Sequence, residues 1–273
     1  MSPTCHSHFG DGTRLRLFKM YRPRVIPCLL LKDQGLVKTI KFKDPTYVGD
    51  PINAVKIFND AKADELVFLD ITATLENRIT DLNVIRNIGD EAFMPFAVGG
   101  GIKTVDHAKD IIGAGAEKVV INSSAVENPQ VITDIAEIFG RQSIIGSIDV
   151  KKNGAGYKVC VNSGQKNTER DPISIAEQME EAGAGEILIN SIDLDGTQKG
   201  YDIQLIKLIS DSVSIPVIAA GGAGKESDFF DAVNDGGASA VAAGSLFVFI
   251  GRKRAVLINY PDRDELEEIF ENL

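Results

Sequence analysis

Two glycine-rich turns stand 121 residues apart, and this spacing constrains the fold more than any other feature of the chain. The first turn contains Gly101 and the second contains Gly222, and each closes an apolar run typical of a strand. A second turn of small residues follows each by 21 residues, at Asn122 and Ala243, again 121 residues apart. The pattern indicates two similar halves, each with strand-turn-helix units of the kind that holds a phosphate group.

Apolar runs typical of strands alternate along the chain with segments of helical spacing. Strict alternation with near-continuous apolar strands predicts a parallel sheet, and eight such units close into a (β/α)8 TIM barrel with an internal two-fold half-barrel repeat. An open doubly wound sheet is the alternative, but it fits the repeat poorly. The predicted strands span 25–31, 65–71, 95–98, 118–122, 143–149, 186–190, 216–220 and 238–243, and the helices span 52–61, 81–92, 105–114, 129–139, 173–182, 203–210, 227–235 and 264–270.

Two insertions interrupt this rhythm at matching positions of the two halves. Residues 32–50 follow the first strand and residues 150–170 follow the fifth, and both are predicted to form extended hairpins. Because both come directly after strands, both belong to the face of the barrel that carries active sites.

Composition and the chain ends narrow the class of protein. Residues 1–19 are polar and lack periodicity, so we expect a disordered leader followed by a single barrel domain over 20–273. A net charge of −10 argues against nucleic acid as the main partner. Three scattered cysteines argue against a disulfide framework and favour the cytoplasm, and no apolar run is long enough to cross a membrane.

Histidine is almost excluded from the chemistry. Two of the three histidines lie in the leader and His107 lies on a predicted helix surface, so no histidine-based metal site is expected, and no cofactor is expected either. Acid–base work therefore falls to carboxylates, lysines or backbone dipoles. Among the carboxylates, those that close predicted strands are candidates, because an aspartate there is costly unless it faces a polar site. Asp149 is favoured for such a site, whereas Asp70 and Asp193 could equally cap a loop.

The glycine turns themselves have two interpretations. Glycine permits close packing at barrel corners, so one such turn alone would be weak evidence for a ligand. Two pairs of turns at the same offset favour phosphate binding, because each unit directs backbone N–H groups and a helix start toward one point.

Four charged residues stand at the starts of predicted strands, on the face opposite the active site. Taken singly, each would be read as a solvated charge at a strand edge. Two positive and two negative residues on strands one, two, four and six could instead pair across the barrel floor and close it. These residues are Arg24, Glu65, Lys118 and Glu186.

Six segments, at 24–29, 64–73, 98–102, 118–123, 185–197 and 215–224, carry a resemblance to a known family. Together they resemble the cyclase subunit of imidazole glycerol phosphate synthase, from about Arg22 to Phe249. The resemblance implies a heterodimer with a glutaminase subunit, which releases ammonia from glutamine. That ammonia would pass through the barrel to a bis-phosphorylated ribulosyl aminoimidazole carboxamide nucleotide, giving imidazole glycerol phosphate and the aminoimidazole carboxamide ribotide.

The resemblance also implies roles for single residues. The four charges at the strand starts match the family's charged gate at the ammonia entrance, Asp149 matches an acid–base aspartate, and Lys38 matches a lysine of the first catalytic loop. The implied phosphate-binding positions are Gly101, Asn122 and Ser123 for one group, and Asp195, Gly196, Gly222, Gly244 and Ser245 for the other.

The departure from the family lies at the chemistry. The family uses two aspartates, which end strands one and five, as acid and base; the second is Asp149, but the first position holds Leu30. Leucine transfers no proton, and loss of a general acid or base typically costs ~10²–10⁴-fold in rate. Three functions stay open: a cyclase of reduced activity, an ammonia-delivering subunit for a sugar amidotransferase of surface-polysaccharide synthesis, and a non-enzymatic scaffold that activates a glutaminase.

Overall fold

A computed structural model describes residues 22–154, 156–251, 253–271 and 273, and the predicted leader at 1–19 lies outside these residues. Strands and helices alternate through the described chain. In order they are β1 (Arg24–Lys32), β2 (Gly35–Ile40), β3 (Lys43–Gly49), α1 (Pro51–Asp60), β4 (Leu66–Asp70), α2 (Leu82–Glu91), β5 (Phe96–Gly99), α3 (Val105–Gly113), β6 (Lys118–Ile121), α4 (Ser123–Glu127), α5 (Gln130–Phe139), β7 (Ile144–Asn153), β8 (Gly156–Val161), β9 (Lys166–Asn167), α6 (Pro172–Ala182), β10 (Glu186–Ser191), α7 (Ile203–Ser210), β11 (Val217–Ala220), α8 (Ser227–Asn234), β12 (Ala240–Ala243), α9 (Ser245–Val248), β13 (Phe249–Ile250), β14 (Ala255–Val256) and α10 (Arg263–Ile269).

Within these residues, eight parallel strands close into a barrel. β1 pairs with β12 on one side and with β4 on the other, and the series continues through β5, β6, β7, β10 and β11 back to β12. The two halves of the chain meet where β7 pairs with β10, from Glu186 opposite Ile145 to Ser191 opposite Val150. The predicted (β/α)8 barrel is therefore confirmed.

The two predicted insertions are antiparallel hairpins that grow out of barrel strands. β2 pairs with the end of β1 and with β3, and β8 pairs with the end of β7 and with β9. Because β1 and β7 each continue from the barrel into a hairpin, both hairpins stand on the face where the strands end. Their matching positions reproduce the half-barrel repeat.

Side-chain caps fix where several helices begin. Asp50, Asp171 and Asp202 each accept a hydrogen bond from the backbone N–H three residues further on. Pro51 and Pro172 occupy the first turn of their helices, where a missing N–H costs nothing. These caps satisfy N–H groups that lack a partner inside the helix.

Apolar side chains form two layers of core. The outer layer lies between the strands and the helices and includes the fully buried Phe58, Phe96 and Phe229. The inner layer fills the barrel, as strands buried on both faces require. Its members are Ile26, Val67, Ala97, Val120, Ile145, Leu188, Ile218, Ala220, Ala240 and Ala242.

The predicted bounds of strands and helices match the observed ones to within two residues, with one exception. β7 runs on to Asn153 because its end pairs with β8. Among the described helices, none is both long and apolar enough to cross a membrane.

Candidate active site

A large cavity of about 740 Å³ opens at the end of the barrel where the strands finish. Hairpins and loops that follow β1, β4, β7 and β10 contribute to its walls. The cavity brings together every residue that the sequence assigned to chemistry or to phosphate binding. These are Lys38, Asp149, Gly101, Asn122, Ser123, Asp195, Gly196, Gly222, Gly244 and Ser245.

The two glycine-rich turns are shaped by contacts that exclude a side chain. Gly101 has a φ of 69°, and a Cβ there would lie 1.7 Å from the carbonyl oxygen of Arg78. Gly222 has a φ of 122°, and a Cβ there would lie 2.1 Å from the carbonyl oxygen of Gly200. Another loop therefore covers each turn, and glycine is required for packing. Phosphate binding at these turns stays a prediction.

The second turn of each half leads into a short helix. Asn122 precedes α4, and Ser123 Oγ accepts a hydrogen bond from the N–H of Asn162 at 2.9 Å. Gly244 precedes α9, and a Cβ on it would lie 2.3 Å from Lys38 Nζ. The lysine ammonium thus occupies the space that a side chain at position 244 would fill.

Asp149 is buried in the cavity wall, with 9% of its surface exposed. Its Oδ2 accepts a hydrogen bond from Asn122 Nδ2 at 2.8 Å, and its Oδ1 accepts one from Asn190 Nδ2 at 3.4 Å. Burial raises the pKa of Asp149 to about 7, repulsion from Asp195 adds to this, and the two carboxamide hydrogen bonds oppose it. The group therefore changes protonation state near neutral pH.

Asp195 and Lys38 form the second charged group in the cavity. Lys38 is buried and donates to the carbonyl oxygen of Cys28 at 2.5 Å, and burial lowers the pKa of its ammonium. Burial also raises the pKa of Asp195 to about 6, although Lys38 and a hydrogen bond from Thr39 favour the ionised form. The hairpin holds this loop in place, because the N–H of Lys41 donates to the Asp195 carbonyl oxygen at 2.9 Å.

Leu30 lines the same cavity at the end of β1 and is partly exposed. In register it lies beside Leu69 on β4 and Val37 on β2, so apolar neighbours flank it on both sides. Position 30 therefore places an apolar side chain, and no proton carrier, in the cavity that contains Asp149.

Asp70 and Asp193 hold loops in place. Asp70 accepts a hydrogen bond from the N–H of Thr72 at 3.0 Å and forms an ion pair with Arg78 at 2.6 Å. Asp193 accepts a hydrogen bond from the N–H of Lys152 at 2.9 Å, which ties the loop after β10 to the end of β7. The hydrogen bonds of both residues support the loop-capping interpretation.

Four charged side chains form a closed ring at the opposite end of the barrel. Lys118 pairs with Glu65 and with Glu186, each at 2.9 Å, and Arg24 pairs with Glu186 at 2.8 Å and also with Glu65. Burial opposes the charge on Glu186, but hydrogen bonds from Arg24 and Lys118 hold the pKa of this carboxyl below its ordinary value. Each cation therefore stands between two carboxylates across the barrel floor.

Known proteins match this barrel along most of its length. Residues 24–251 match the family described as histidine biosynthesis protein. The chain belongs to this histidine-biosynthesis family. The chain is 52% identical to the provisionally named imidazole glycerol phosphate synthase subunit hisF2 of Pseudomonas aeruginosa, over 91% of this chain and 99% of that protein. Identity to the provisionally named subunit hisF3 of Vibrio vulnificus is 46%, over 94% and 100%. Identity to subunit HisF of Alkaliphilus metalliredigens is 47%, over 84% and 91%.

Three side-chain contacts with residues that line the cavity of this histidine-biosynthesis barrel were not predicted from the sequence. Asn190 supports Asp149, and Thr39 supports Asp195. Both are uncharged residues at the ends of apolar runs, and only their place at a strand end could have indicated a polar role. Arg254 donates to the carbonyl oxygen of Gly196, but it lies beyond the last segment that resembles the family.

Proposed function

We propose that this chain is the ammonia-using, cyclase-type subunit of a cytoplasmic imidazole glycerol phosphate synthase complex. A glutaminase subunit would dock over the charged ring, and its ammonia would cross the barrel to the cavity. There it would react with the bis-phosphorylated ribulosyl aminoimidazole carboxamide nucleotide to give imidazole glycerol phosphate and the aminoimidazole carboxamide ribotide. The observation that carries this proposal is the placement of the ring and the cavity at opposite ends of one barrel.

Two phosphate groups suit the symmetry of the cavity. The turns at Gly101 and Asn122 follow β5 and β6, and those at Gly222 and Gly244 follow β11 and β12. Around the barrel, β1 and β4 separate these strand pairs on one side, and β7 and β10 separate them on the other. The two sets of turns therefore face each other across the mouth, as a substrate with a phosphate at each end requires.

Asp149 is the proton carrier that we assign. A carboxyl with a pKa of about 7 is populated in both protonation states at neutral pH, which suits general acid–base catalysis. Asn122 and Asn190 orient its two oxygens. Lys38 is the second group that we assign to the chemistry, but it faces Asp195 and does not supply the missing carboxyl. We therefore expect turnover to be weak.

Leu30 also favours a second candidate function, delivery of ammonia to a separate sugar amidotransferase. A barrel without its strand-one carboxyl would keep the glutaminase partner and the passage but lose most of the cyclase chemistry. The chain is similar both to relatives with numbered names, hisF2 and hisF3, and to a subunit named simply HisF. A scaffold that only activates the glutaminase is the non-enzymatic form of the same idea.

An ammonia-dependent cyclase assay on the purified chain separates these functions. The cyclase proposal predicts turnover that is measurable, weak and lost in Asp149→Asn. Turnover that survives Asp149→Asn would refute our assignment of the chemistry. Absence of turnover in the native chain and in Leu30→Asp, with glutaminase activation intact, would support ammonia delivery or scaffolding instead.

Phe93 offers a clean test of where the glutaminase docks. Its side chain is 88% exposed in the loop before β5, on the same end of the barrel as the charged ring. The backbone N–H of Phe93 donates to Asn59 Oδ1 at 3.0 Å, so a hydrogen-bonded backbone holds the phenyl side chain in place. An exposed aromatic on a rigid loop is a favourable interface anchor.

We expect Phe93→Asp to raise the Kd for the cognate glutaminase at least tenfold and to reduce co-purification with it. The melting temperature of the chain should not change. Tyr47→Asp is the matched control, because Tyr47 is 66% exposed on the hairpin at the other end of the barrel. Equal binding by the two variants would place the partner elsewhere. No complex between the native chain and the glutaminase at micromolar concentrations would refute the heterodimer itself.

A further inference from the structure

A hairpin that follows the last barrel unit reaches back to the cavity. β13 and β14 pair with each other, and the chain is tied down at its return, where the N–H of Leu257 donates to the Val248 carbonyl oxygen at 2.9 Å. The N–H of Asn259 also donates to the Phe247 carbonyl oxygen at 3.0 Å. The hairpin is thus fixed to α9, whose first residue is Ser245.

Arg254 stands in this hairpin directly before β14, and its side chain is held on three sides. Nη1 donates to the carbonyl oxygen of Gly196 at 3.1 Å, and Nη2 lies 3.5 Å from Ser245 Oγ. The guanidinium stacks on Phe249, 4.4 Å from the ring centroid. Its backbone φ is 51°, a left-handed conformation that persists in a non-glycine residue only where its surroundings impose it.

Both polar partners of Arg254 line the cavity at the end where we placed the second phosphate. Gly196 and Ser245 belong to that set of residues. The guanidinium has five N–H donors, of which hydrogen bonds to the described residues use two, so its fork has donors for a further acceptor. Phosphate oxygens match that fork in a two-point hydrogen-bond arrangement.

Negative charges in the cavity favour a cation near a bound phosphate. Asp149 and Asp195 both line the cavity, and an added phosphate brings up to two more negative charges. Lys38 is turned inward to the Cys28 carbonyl oxygen, and burial disfavours its charged form. The Arg254 guanidinium stands beside the proposed phosphate position, in contact with Gly196 and Ser245.

We propose that Arg254 is a phosphate-binding residue, which clamps a phosphate monoester against Gly196 and Ser245. The ligand class is a sugar phosphate whose distal phosphate enters this end of the cavity. The inference deepens the proposed function and rests on it, because it presupposes a phosphorylated ligand in the same cavity. It adds the Arg254 guanidinium to a site that already contains Asp195, Ser245 and, beside Gly244, the Lys38 ammonium.

Binding measurements test the clamp without any assay of turnover. Titration calorimetry at fixed ionic strength compares the native chain, Arg254→Gln and Arg254→Lys, with inorganic phosphate and ribulose 1,5-bisphosphate as the probes. Arg263→Gln is the matched control, because Arg263 is exposed on α10 and pairs with Glu267 of the same helix. Loss of a charge-assisted hydrogen bond predicts about 10- to 100-fold weaker binding of the bisphosphate by Arg254→Gln. The lysine variant should lose less, and Arg263→Gln should bind as the native chain does.

A spectroscopic readout distinguishes contact with phosphate from a purely structural role. A guanidinium beside the phosphate favours its dianion, so the ³¹P titration midpoint of the bound probe should lie lower in the native chain than in Arg254→Gln, which lacks the charge. Affinities of Arg254→Gln and the native chain within twofold would overturn the inference and leave the proposed function standing. Absence of binding of either probe by the native chain would overturn the phosphate sites as a whole. A variant that fails to fold is replaced in the comparison by Arg254→Lys, which keeps the stem and the charge.

Discussion

Leu30→Asp is the substitution that tests the chemistry most directly. It restores a carboxyl at the end of β1, in the cavity that already contains Asp149. Two carboxyls could divide the acid and base roles, whereas Asp149 alone has to serve both. We expect ammonia-dependent cyclase turnover to rise ~10²–10⁴-fold, the usual contribution of one general acid or base. The pH–rate profile should become bell-shaped, with limits that belong to the coupled pair.

The same substitution carries a stability cost that the structure allows us to bound. Leu30 is partly exposed between Leu69 and Val37, so losing its apolar burial costs about 1–2 kcal/mol. Nearby Asp149 and Asp195 disfavour a further negative charge, and the new carboxyl avoids most of that cost by staying protonated. We expect the melting temperature to fall by about 2–8 °C, which leaves a folded protein at assay temperature.

Leu30→Asn is the matched control for this experiment. Asparagine has nearly the size and polarity of aspartic acid, and it should lower the melting temperature by a similar amount. It transfers no proton, so its turnover should stay at the native level. Equal turnover in the aspartate and asparagine variants would refute the reasoning, and so would native turnover already as fast as that of Leu30→Asp. The assay follows formation of the imidazole product with ammonium salt at pH 8 and is repeated from pH 6 to 9.

Two further predictions concern stability. The pKa of Asp149 is raised to about 7 in the folded chain, so the folded state binds the proton more tightly than the unfolded state, and native stability falls as the pH rises from about 4 to 7. Asp149→Asn should therefore melt at a higher temperature than the native chain at pH 8, and this gain should shrink by pH 5. A difference in melting temperature that calorimetry finds independent of pH would contradict this. Lys118→Met removes the cation between Glu65 and Glu186 and should lower the free energy of unfolding by about 1–3 kcal/mol, less than for a fully buried pair because Lys118 is partly exposed. Lys207→Met is the control, because Lys207 forms an exposed pair with Asp211. In chemical denaturation this control should change the free energy of unfolding by less than ~0.5 kcal/mol.

Most of the fold was predictable because its signals are local and repeated. Apolar runs of strand length, helical spacing between them and the offset between Gly101 and Gly222 predict the eight units without any tertiary information. The end of β7 was not predictable from those runs, because its extension to Asn153 depends on pairing with β8. The loop-holding role of Asp193 depends likewise on a hydrogen bond from Lys152, 41 residues away in sequence.

The candidate site was predictable only in part, for a related reason. The resemblance supplied positions for residues that match a motif, such as Asp195 and Gly244. It supplied nothing for Arg254, which reaches Gly196 across 58 residues of sequence from a hairpin beyond the resembling segments. Protonation is also outside the sequence signal, because the raised pKa of Asp149 comes first from burial in the assembled cavity.

The charged ring and the cavity lie at opposite ends of this barrel, so each can be explained separately. Four partly desolvated charges on a barrel floor are weak evidence for stability, since apolar residues of similar volume often serve as well or better. The ion pairs at Arg24, Glu65, Lys118 and Glu186 are therefore compatible with the docking role proposed for the ring and do not need a role in folding. The site at Leu30 lies at the other end and changes neither the ring nor the exposed Phe93.

Because the two ends are separate, their tests combine into a decision. Glutaminase docking that depends on Phe93, together with turnover that rises in Leu30→Asp, would establish a weakened cyclase. The same docking with no turnover even in Leu30→Asp would leave a barrel that receives ammonia but does not use it, and the sugar amidotransferase or scaffold function would follow. Turnover without docking would contradict the ring's proposed role as the docking site, since the assay supplies free ammonia and turnover in it needs no partner.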